Sequence, residues 1–506
     1  MNLFQRILIL LFAFGIFCSL TFAIGVDLAI TNQLQYETGH EVSPFISENY
    51  PHNLVARRFF ENRTMVDLYF GEVRVGFRYL RFEPSQTDMS LWALENESGI
   101  DKRFIEWSHD GLEFRVGHFP AIFGQGLTLY LFEDRLLYHD TELDGIKLTL
   151  ERGPFRFTAL RGGSKEWGAV HATTLMGFNA EATSGNLRVG ANYVKMDSGG
   201  YAEADLPGGY VDYSLGAVSL YGEYAEKSIP IPENILIAVP WPYYWGRALY
   251  LSGSAAVSGF SLFADYKYYH YKGATPFQNP PIVQRELTSR LLQSREPHVV
   301  NLDDEVGFQI EGKATPLDWA TVTMNFTHSS AIVGRDIIPS NHQENRPFIE
   351  YLIETELTPA TEHRIRIGVV YDEEARTRFF EEKAGFFSEW ENQSLSPYGT
   401  VLLMEGLWVR DRLRDERYQD WLWETTVTKS PNLSVSLAYQ FTTDDELTAR
   451  EGDDWLSSEM RYSFGEGRHT LFVFYGKERG GLKCTGGVCR QVQAFEGWKI
   501  GLDSSF

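Results

Sequence analysis

The sequence has few cysteines, few basic residues and a single long apolar run. Of its 506 residues three are cysteine, and 46 Lys and Arg stand against 68 Asp and Glu, a formal net charge of −22. So acidic a chain offers little basic surface for nucleic-acid phosphates, and we expect no nucleic-acid partner. Beyond the first residues no apolar run approaches the length of about 18 that a membrane-spanning helix needs, so we predict no such helix.

The one long apolar run opens the chain, in "MNLFQRILILLFAFGIFCSLTFA". Arg6 precedes the apolar core, and Ala23 supplies a small residue at a cleavage position. This order predicts a secretory signal peptide over residues 1–23, followed by a single domain over 24–506. Cys18 would be removed with the signal.

Two cysteines remain after export, in "GLKCTGGVCRQ". Cys484 and Cys489 flank a short turn, and an oxidising compartment favours a local disulfide between them. A metal-binding pair is the alternative, but no His or further Cys lies nearby to complete a site.

Glycine (45 residues) and aromatic residues (14%) are abundant, and apolar and polar residues alternate along the chain as in strands with two different faces. Many of these runs form pairs joined by tight turns of Gly, Pro, Asn and Asp. The ten turns lie at 70–72, 109–111, 152–153, 184–186, 215–216, 258–259, 315–318, 358–361, 430–432 and 465–467.

Longer connections separate these hairpins, at 84–99, 119–142, 227–246, 272–303, 328–346 and 374–418. Short turns alternating with long loops are typical of outer-membrane barrels. With an opening strand at 26–37 and a closing strand at the C-terminus, the hairpins predict about 22 strands, within a range of 18 to 24. The fold prediction is an all-β, transmembrane, antiparallel up-and-down β-barrel with short periplasmic turns and long extracellular loops.

The two faces of the strands fit a barrel with a lipid side and a lumen side. Apolar residues such as Val189 and Leu437 share one face, and charged residues occupy the other. A soluble all-β protein would show the same alternation and remains the alternative. The candidate lumen charges are Arg74, Arg78, Glu113, Arg115, Glu311, Lys313, Glu354, Glu356, Arg364 and Arg366.

The chain ends "FEGWKIGLDSSF", in which Trp498, Ile500, Leu502 and Phe506 share one parity. This ending resembles the terminal signature of outer-membrane barrels, which their assembly machinery recognises. "ENRTMVDLYF", "GHFPAIFGQGLTLYLFEDRLLYHDTELDGIKL" and "ERGGLKCTGGVCRQ" are also similar to a family of large outer-membrane barrels of unknown function. The resemblance implies the fold, the outer membrane of a Gram-negative-type bacterium, and membrane lipid and the assembly machinery as partners. It implies no catalytic residue.

Two segments suggest local roles. Gly124-x-Gly126 is a weak phosphate-loop motif, and we favour a tight bend that lets the chain fold against or into the wall. Glu354 and Glu356 are predicted to meet Arg364 and Arg366 across a short turn, as a structural ladder or as a charged pore lining.

Two loops leave their roles open. The segment 374–418 could be an internal constriction, an external binding surface or a packed loop. The aromatic residues of "WPYYWG", from Trp241 to Trp245, fit a cluster at the membrane rim or a platform for sugar rings.

No motif predicts catalysis, a metal or a cofactor, so we do not expect an enzyme. Strands begin directly after the predicted signal, and we expect no N-terminal plug domain. Two hypotheses remain for function. The protein is a porin-like or gated channel for an unknown solute, or a non-conducting surface or assembly barrel whose loops bind a partner.

Overall fold

A single antiparallel sheet of 24 strands closes on itself. Each strand pairs with the next, and the first also pairs with the last, so the sheet forms a barrel. In chain order the strands are β1 Asp27–Val42, β2 Leu54–Phe70, β3 Val73–Glu83, β4 Glu97–His109, β5 Leu112–Phe119, β6 Leu143–Arg152, β7 Phe155–Ser164, β8 Thr173–Ser184, β9 Leu187–Asp197, β10 Glu203–Leu215, β11 Val218–Pro230, β12 Tyr243–Val257, β13 Phe260–His270, β14 Glu305–Leu317, β15 Ala320–Ser330, β16 Phe348–Ala360, β17 His363–Ala375, β18 Phe380–Leu395, β19 Tyr398–Asp411, β20 Glu416–Lys429, β21 Leu433–Thr442, β22 Asp454–Phe464, β23 His469–Glu478 and β24 Phe495–Ser505.

Small elements occupy the long connections. Among the described residues they are the helices α1 (Gln86–Trp92) and α2 (Asp445–Glu451), the 3-10 turns Arg135–Leu137 and Gln343–Asn345, and three hairpins that pair Ala121–Phe123 with Leu129–Leu131, Glu133–Asp134 with His139–Asp140, and Gly481–Thr485 with Val488–Val492. Within the described part of the chain, no helix is long and apolar enough to cross a membrane.

The computed structural model describes residues 26–43, 49–92, 94–164, 173–197, 203–230, 243–271, 275–285, 292, 298–334, 336–376, 380–485 and 488–506. The predicted signal peptide and Trp241 lie outside these residues. Trp245, at the start of β12, is 60% exposed.

All ten predicted turns join neighbouring strands of the barrel. At one of them Asp110 and Gly111 have φ angles of 45° and 78°, the left-handed values that a tight hairpin turn requires. An eleventh hairpin, β18–β19, turns at Ser396 and Pro397. The prediction that 374–418 is a long loop was therefore wrong, because most of that segment forms two strands of the wall.

The strand faces are confirmed as lipid-facing and lumen-facing. On β9, Leu187 and Val189 point outward and are each 39% exposed, while Arg188 between them pairs with Asp212 on β10 at 2.9 Å. Large apolar side chains are exposed in this way around the whole wall. A soluble protein would bury that face, so the soluble alternative was wrong.

The last strand closes the barrel as its ending predicts. Trp498, Ile500 and Phe506 are exposed on the outer face, and Leu502 of the same parity is half-buried. The Phe506 N–H donates to the Ile30 carbonyl oxygen at 2.9 Å, and the Ile30 N–H donates back at 3.2 Å.

The close approach of β1 and β24 predicts that a methyl group added at Gly497 destabilises the barrel. Gly497 has a φ of 153°, and a Cβ there would lie 2.3 Å from the Thr38 carbonyl oxygen. We expect Gly497→Ala to lower the free energy of unfolding by about 1–3 kcal/mol, because the strands must separate to admit the methyl. Gly312→Ala in β14, where nothing lies within 4 Å, is the control and should change it by less than about 1 kcal/mol. Urea unfolding in lipid vesicles measures both, and equal midpoints would contradict the close approach.

Candidate functional site

Many charged side chains on the inward face of the wall are buried. A barrel of 24 strands encloses a lumen too wide for wall side chains alone to fill, so other parts of the chain must cover them. Among the described residues, three connections at the long-loop end do so: the first inward segment (120–142), the second (described at 275–285, 292 and 298–304) and the third (described at 479–485 and 488–494). The buried charges include Glu61, Arg78, Lys102, Glu223, Lys267, Glu305, Glu374 and Asp420.

The first inward segment packs an apolar surface against the wall. Phe123, Leu129 and Leu131 are each at most 1% exposed, and the Tyr130 N–H donates to the carbonyl oxygen of Phe277 in the second segment at 2.8 Å. The two segments therefore form one inner layer. Wall residues in the same apolar cluster are Phe119, Leu143, Leu160, Leu175, Val194, Met196, Ala204 and Leu206.

The bend at Gly124-x-Gly126 brings the backbone of this segment close to its neighbours. A Cβ on Gly124 would lie 2.5 Å from the Glu223 carboxylate, and one on Gly126 would lie 2.8 Å from the Asn279 carbonyl oxygen. The Gln125 N–H donates to the same Glu223 carboxylate at 2.6 Å. The interpretation of this motif as a bend folded against the wall is confirmed.

Ion pairs hold the other side of the first inward segment to β2, β3 and β4. Glu133 accepts from Arg78 at 2.6 Å and from Lys102 at 2.9 Å, and Arg135 contacts Glu61 at 2.6 Å. Burial disfavours the Glu133 carboxylate, but hydrogen bonds and positive charge from Arg78 and Lys102 outweigh it and lower its pKa to about 2. We call these five residues the ionic anchor.

The second inward segment is attached to several strands of the wall. The Arg285 guanidinium lies 3.2 Å from Glu311 on β14 and 3.6 Å from Glu354 on β16. The Leu292 N–H donates to the carboxylate of Glu405 on β19 at 2.9 Å. Its described residues therefore contact the inner face of the wall at β14, β16 and β19.

His298 attaches the C-terminal part of the second inward segment to the wall. Its Nδ1 lies 2.9 Å from Glu374 and its Nε2 lies 3.3 Å from Glu305, and its ring stacks on Phe348 with centroids 4.3 Å apart. Burial lowers the pKa of His298, but the charges and hydrogen bonds of the two carboxylates outweigh it and raise the pKa.

The third inward segment reaches from the wall to the first. The Arg479 guanidinium pairs with Asp420 on β20 at 2.6 Å, with both side chains buried. The Arg490 guanidinium lies over the Tyr138 ring, 3.9 Å from its centroid, a cation–π geometry. The three segments thus contact one another and the inner face of the wall.

The two retained cysteines lie opposite each other in the hairpin of this third segment. Cys484 and Cys489 are Cα partners in its antiparallel register. The Cys484 side chain lies outside the described residues, so the disulfide stays a prediction.

Two cavities lie where the third segment meets the wall, with volumes of about 330 Å³ and about 350 Å³. Both are lined by Arg479, Gly480, Gly481 and Leu482. Wall residues around the first include Glu424, Trp455, Glu459 and Phe474, and those around the second include Glu381, Lys383, Asp411 and Tyr418.

Most of the predicted lumen charges form ion pairs. Lys313 lies opposite Thr323 and Glu356 opposite Arg366 in the strand registers. The pairs are Arg74 with Asp67 (2.9 Å), Arg78 with Glu133, Glu113 with Lys147 (2.9 Å), Arg115 with Glu106 (3.1 Å), Glu311 and Glu354 with Arg285, Arg364 with Glu391, and Arg366 with Glu389 (2.9 Å).

In the hairpin predicted to carry a charged ladder, Glu356 lies opposite Arg366, but Glu354 lies opposite Gly368. Arg364 and Arg366 on β17 reach Glu391 and Glu389 on β18, a strand that the sequence had assigned to a loop. The ionic anchor was not predicted from the sequence either. Glu133 lies far along the chain from its partners, and no local pattern marked it.

These features define the class of protein. A closed antiparallel barrel with an apolar outer face and a charged inner face is an outer-membrane β-barrel. A family model described as "Family of unknown function (DUF6029)" matches residues 48–312 and 405–506, and the chain belongs to this family. No curated protein sequence matches it.

Solved outer-membrane barrels are similar in fold at low sequence identity. A chain of the Escherichia coli P pilus tip assembly intermediate PapC-PapD-PapK-PapG has a TM-score of 0.52 and 11% identity, over 94% of this chain and 60% of that one. The Pseudomonas aeruginosa siderophore receptor PirA has a TM-score of 0.44 and 10% identity, over 94% of this chain and 80% of that one. P. aeruginosa OccK9 has a TM-score of 0.41 and 11% identity, over 79% of this chain and 98% of that one.

The hairpin register predicts a bond between Cys484 and Cys489. In protein purified from the outer membrane, peptide mapping under non-reducing conditions should recover the two cysteines in one linked peptide, because export places them in an oxidising compartment. Cys484→Ser is the control and should leave Cys489 open to alkylation. Alkylation of both cysteines in the unreduced natural protein would contradict the bond.

The raised pKa of His298 predicts that the stability of the structure around this residue depends on pH. The folded protein holds this proton more tightly than the unfolded chain, so the resulting stabilisation is complete below about pH 6.5 and is lost as the pH rises through the raised pKa. We expect the protection factors of the backbone amides in 298–304, which are corrected for the intrinsic rise of the exchange rate with pH, to decrease over that range. His298→Gln should abolish this decrease, and His342→Gln, at an exposed loop position, should retain it. Protection factors that rise with pH would refute the assignment.

Proposed function

We propose that this barrel is a gated channel in the outer membrane of a Gram-negative-type bacterium, exported by the signal peptide at 1–23. The observation that supports the proposal is that three segments of the chain fold inward and pack on the inner face of the wall. One of them, the first inward segment, is held on one side by the ionic anchor. Buried ion pairs of this kind add little net stability compared with apolar packing, because desolvation offsets their attraction. An anchor of this type therefore suits a segment that separates from the wall when the channel opens.

The second candidate is a non-conducting surface or assembly barrel whose extracellular loops bind a partner. The apolar cluster around Phe123 and Leu129 favours it, since both side chains are fully buried and a permanent filling of the lumen would be built in this way. The P pilus assembly that contains a similar chain includes several other proteins, a property of that assembly.

Single-channel conductance in planar bilayers separates the two candidates. We expect the natural protein to remain mostly closed with occasional openings. The double variant Lys102→Met, Glu133→Gln should open at least about tenfold more often, because Arg78 then loses one of its two carboxylate partners and a buried charge that has lost a partner destabilises the closed state until water reaches it. The control is Arg156→Gln, which breaks an ion pair with Glu151 of which both side chains are more than half exposed.

The outcomes are distinct for the two candidates. A folded, heat-modifiable preparation in which neither the natural protein nor the anchor variant conducts would overturn the channel and favour the partner-binding barrel. Equal opening of the anchor variant and the Arg156 control would retain a channel and remove the ionic anchor as its gate.

A further inference from the structure

Two arginines face each other directly on the outer wall. Arg410 on β19 and Arg417 on β20 are Cα partners in the antiparallel register, and both are exposed. Arg410 lies on the same outward face as Trp408, which is 39% exposed. Like charges directly opposite each other on paired strands destabilise a sheet. This arrangement therefore calls for an opposite charge between them.

The protein itself supplies only part of that charge. Glu382 lies 3.7 Å from Arg410 and also pairs with Arg412, so one carboxylate serves two guanidinium groups. Among the residues that the structure describes, no ion pair involves Arg417. The patch is left with more positive than negative charge at its centre.

A groove lies at this position on the outer surface. Its volume is about 420 Å³, and Arg410 and Arg417 both line it. Arg410 precedes the last residue of β19 and Arg417 follows the first residue of β20, so the groove sits at the long-loop, extracellular end of the wall. Other lining residues are Tyr371, Glu382, Trp408 and Gln419.

An aromatic patch lies next to the groove, further into the membrane. The rings of Trp408 and Trp421 are 5.4 Å apart, those of Trp421 and Trp423 are 5.9 Å apart, and Phe386 is 5.8 Å from Trp408. Exposed tryptophans of a barrel mark the boundary between acyl chains and headgroups. The two arginines are therefore at the level of the lipid headgroups of the outer leaflet.

We propose that Arg410 and Arg417 bind a phosphate group of a phosphorylated outer-leaflet lipid, whose acyl chains lie along the Trp408–Trp421 patch. A phosphate accepts hydrogen bonds from guanidinium groups in the two-pronged geometry that arginine favours, and its charge removes the repulsion across the strand pair. The groove adjoins the apolar wall, which suits a lipid better than a free anion.

The test measures lipid-dependent thermal stabilisation of the full barrel in an uncharged detergent. Three probes are compared at equal concentration: diphosphoryl lipid A, an uncharged galactolipid and inorganic phosphate. We expect only the first to raise the unfolding midpoint strongly. The double variant Arg410→Gln, Arg417→Gln should weaken its apparent affinity at least tenfold. Arg247→Gln, which removes an exposed arginine near the same rim, is the matched control and should change it less than twofold.

A charge reversal distinguishes binding from a structural role. Arg417→Glu replaces the repulsion with an attraction, so it should raise the unfolding midpoint without lipid and abolish the response to lipid A. Equal stabilisation by the galactolipid, an equal response to inorganic phosphate, or an unchanged lipid A response in the double variant would each overturn the proposal. Proper folding of every variant is checked by heat-dependent migration in gels.

Discussion

Every backbone polar group within a bilayer must find a partner inside the protein, and this constraint governs the whole wall. It requires that β1 and β24 pair, which is why the last residue of the chain exchanges backbone hydrogen bonds with Ile30. The close approach of Gly39 and Gly497 follows from the same pairing, since either Cβ would meet the backbone of the opposite strand. The outward parity of the last strand is thus a consequence of closure.

A closed barrel of 24 strands has a lumen that the side chains of the wall cannot fill. The inward segments occupy part of this lumen, and their own backbone polar groups also need hydrogen-bond partners. Wall side chains supply several of them. Glu223 accepts from the Gln125 N–H, Glu405 accepts from the Leu292 N–H, and the Tyr271 hydroxyl donates to the Leu127 carbonyl oxygen at 2.6 Å. Buried charge in the wall therefore serves partly to satisfy the backbone of the inward segments.

The sequence predicted the wall well because its signals are local. Alternation and turn residues, such as Asp110 and Gly111, act within a few positions. The hairpin at Ser396 and Pro397 was not predicted, because the strands beside it carry many charged and aromatic residues on both faces. The inward segments could not be predicted, because their contacts join positions far apart: Glu133 with Arg78, or Arg490 with Tyr138. Only the bend at Gly124-x-Gly126 carried a local signal, and it indicated close approach without naming the partner.

The first inward segment is attached differently at its two sides, and this difference would give the proposed gating motion its direction. Phe123 and Leu129 are buried in an apolar cluster, and exposing each to water would cost about 1.5–3 kcal/mol. Glu133 and Arg135 are held by ion pairs, whose partners water and ions can replace as the segment leaves the wall. A movement that opens the lumen would therefore begin at the ionic anchor and pivot on the apolar cluster, so that the path widens along β2 to β4.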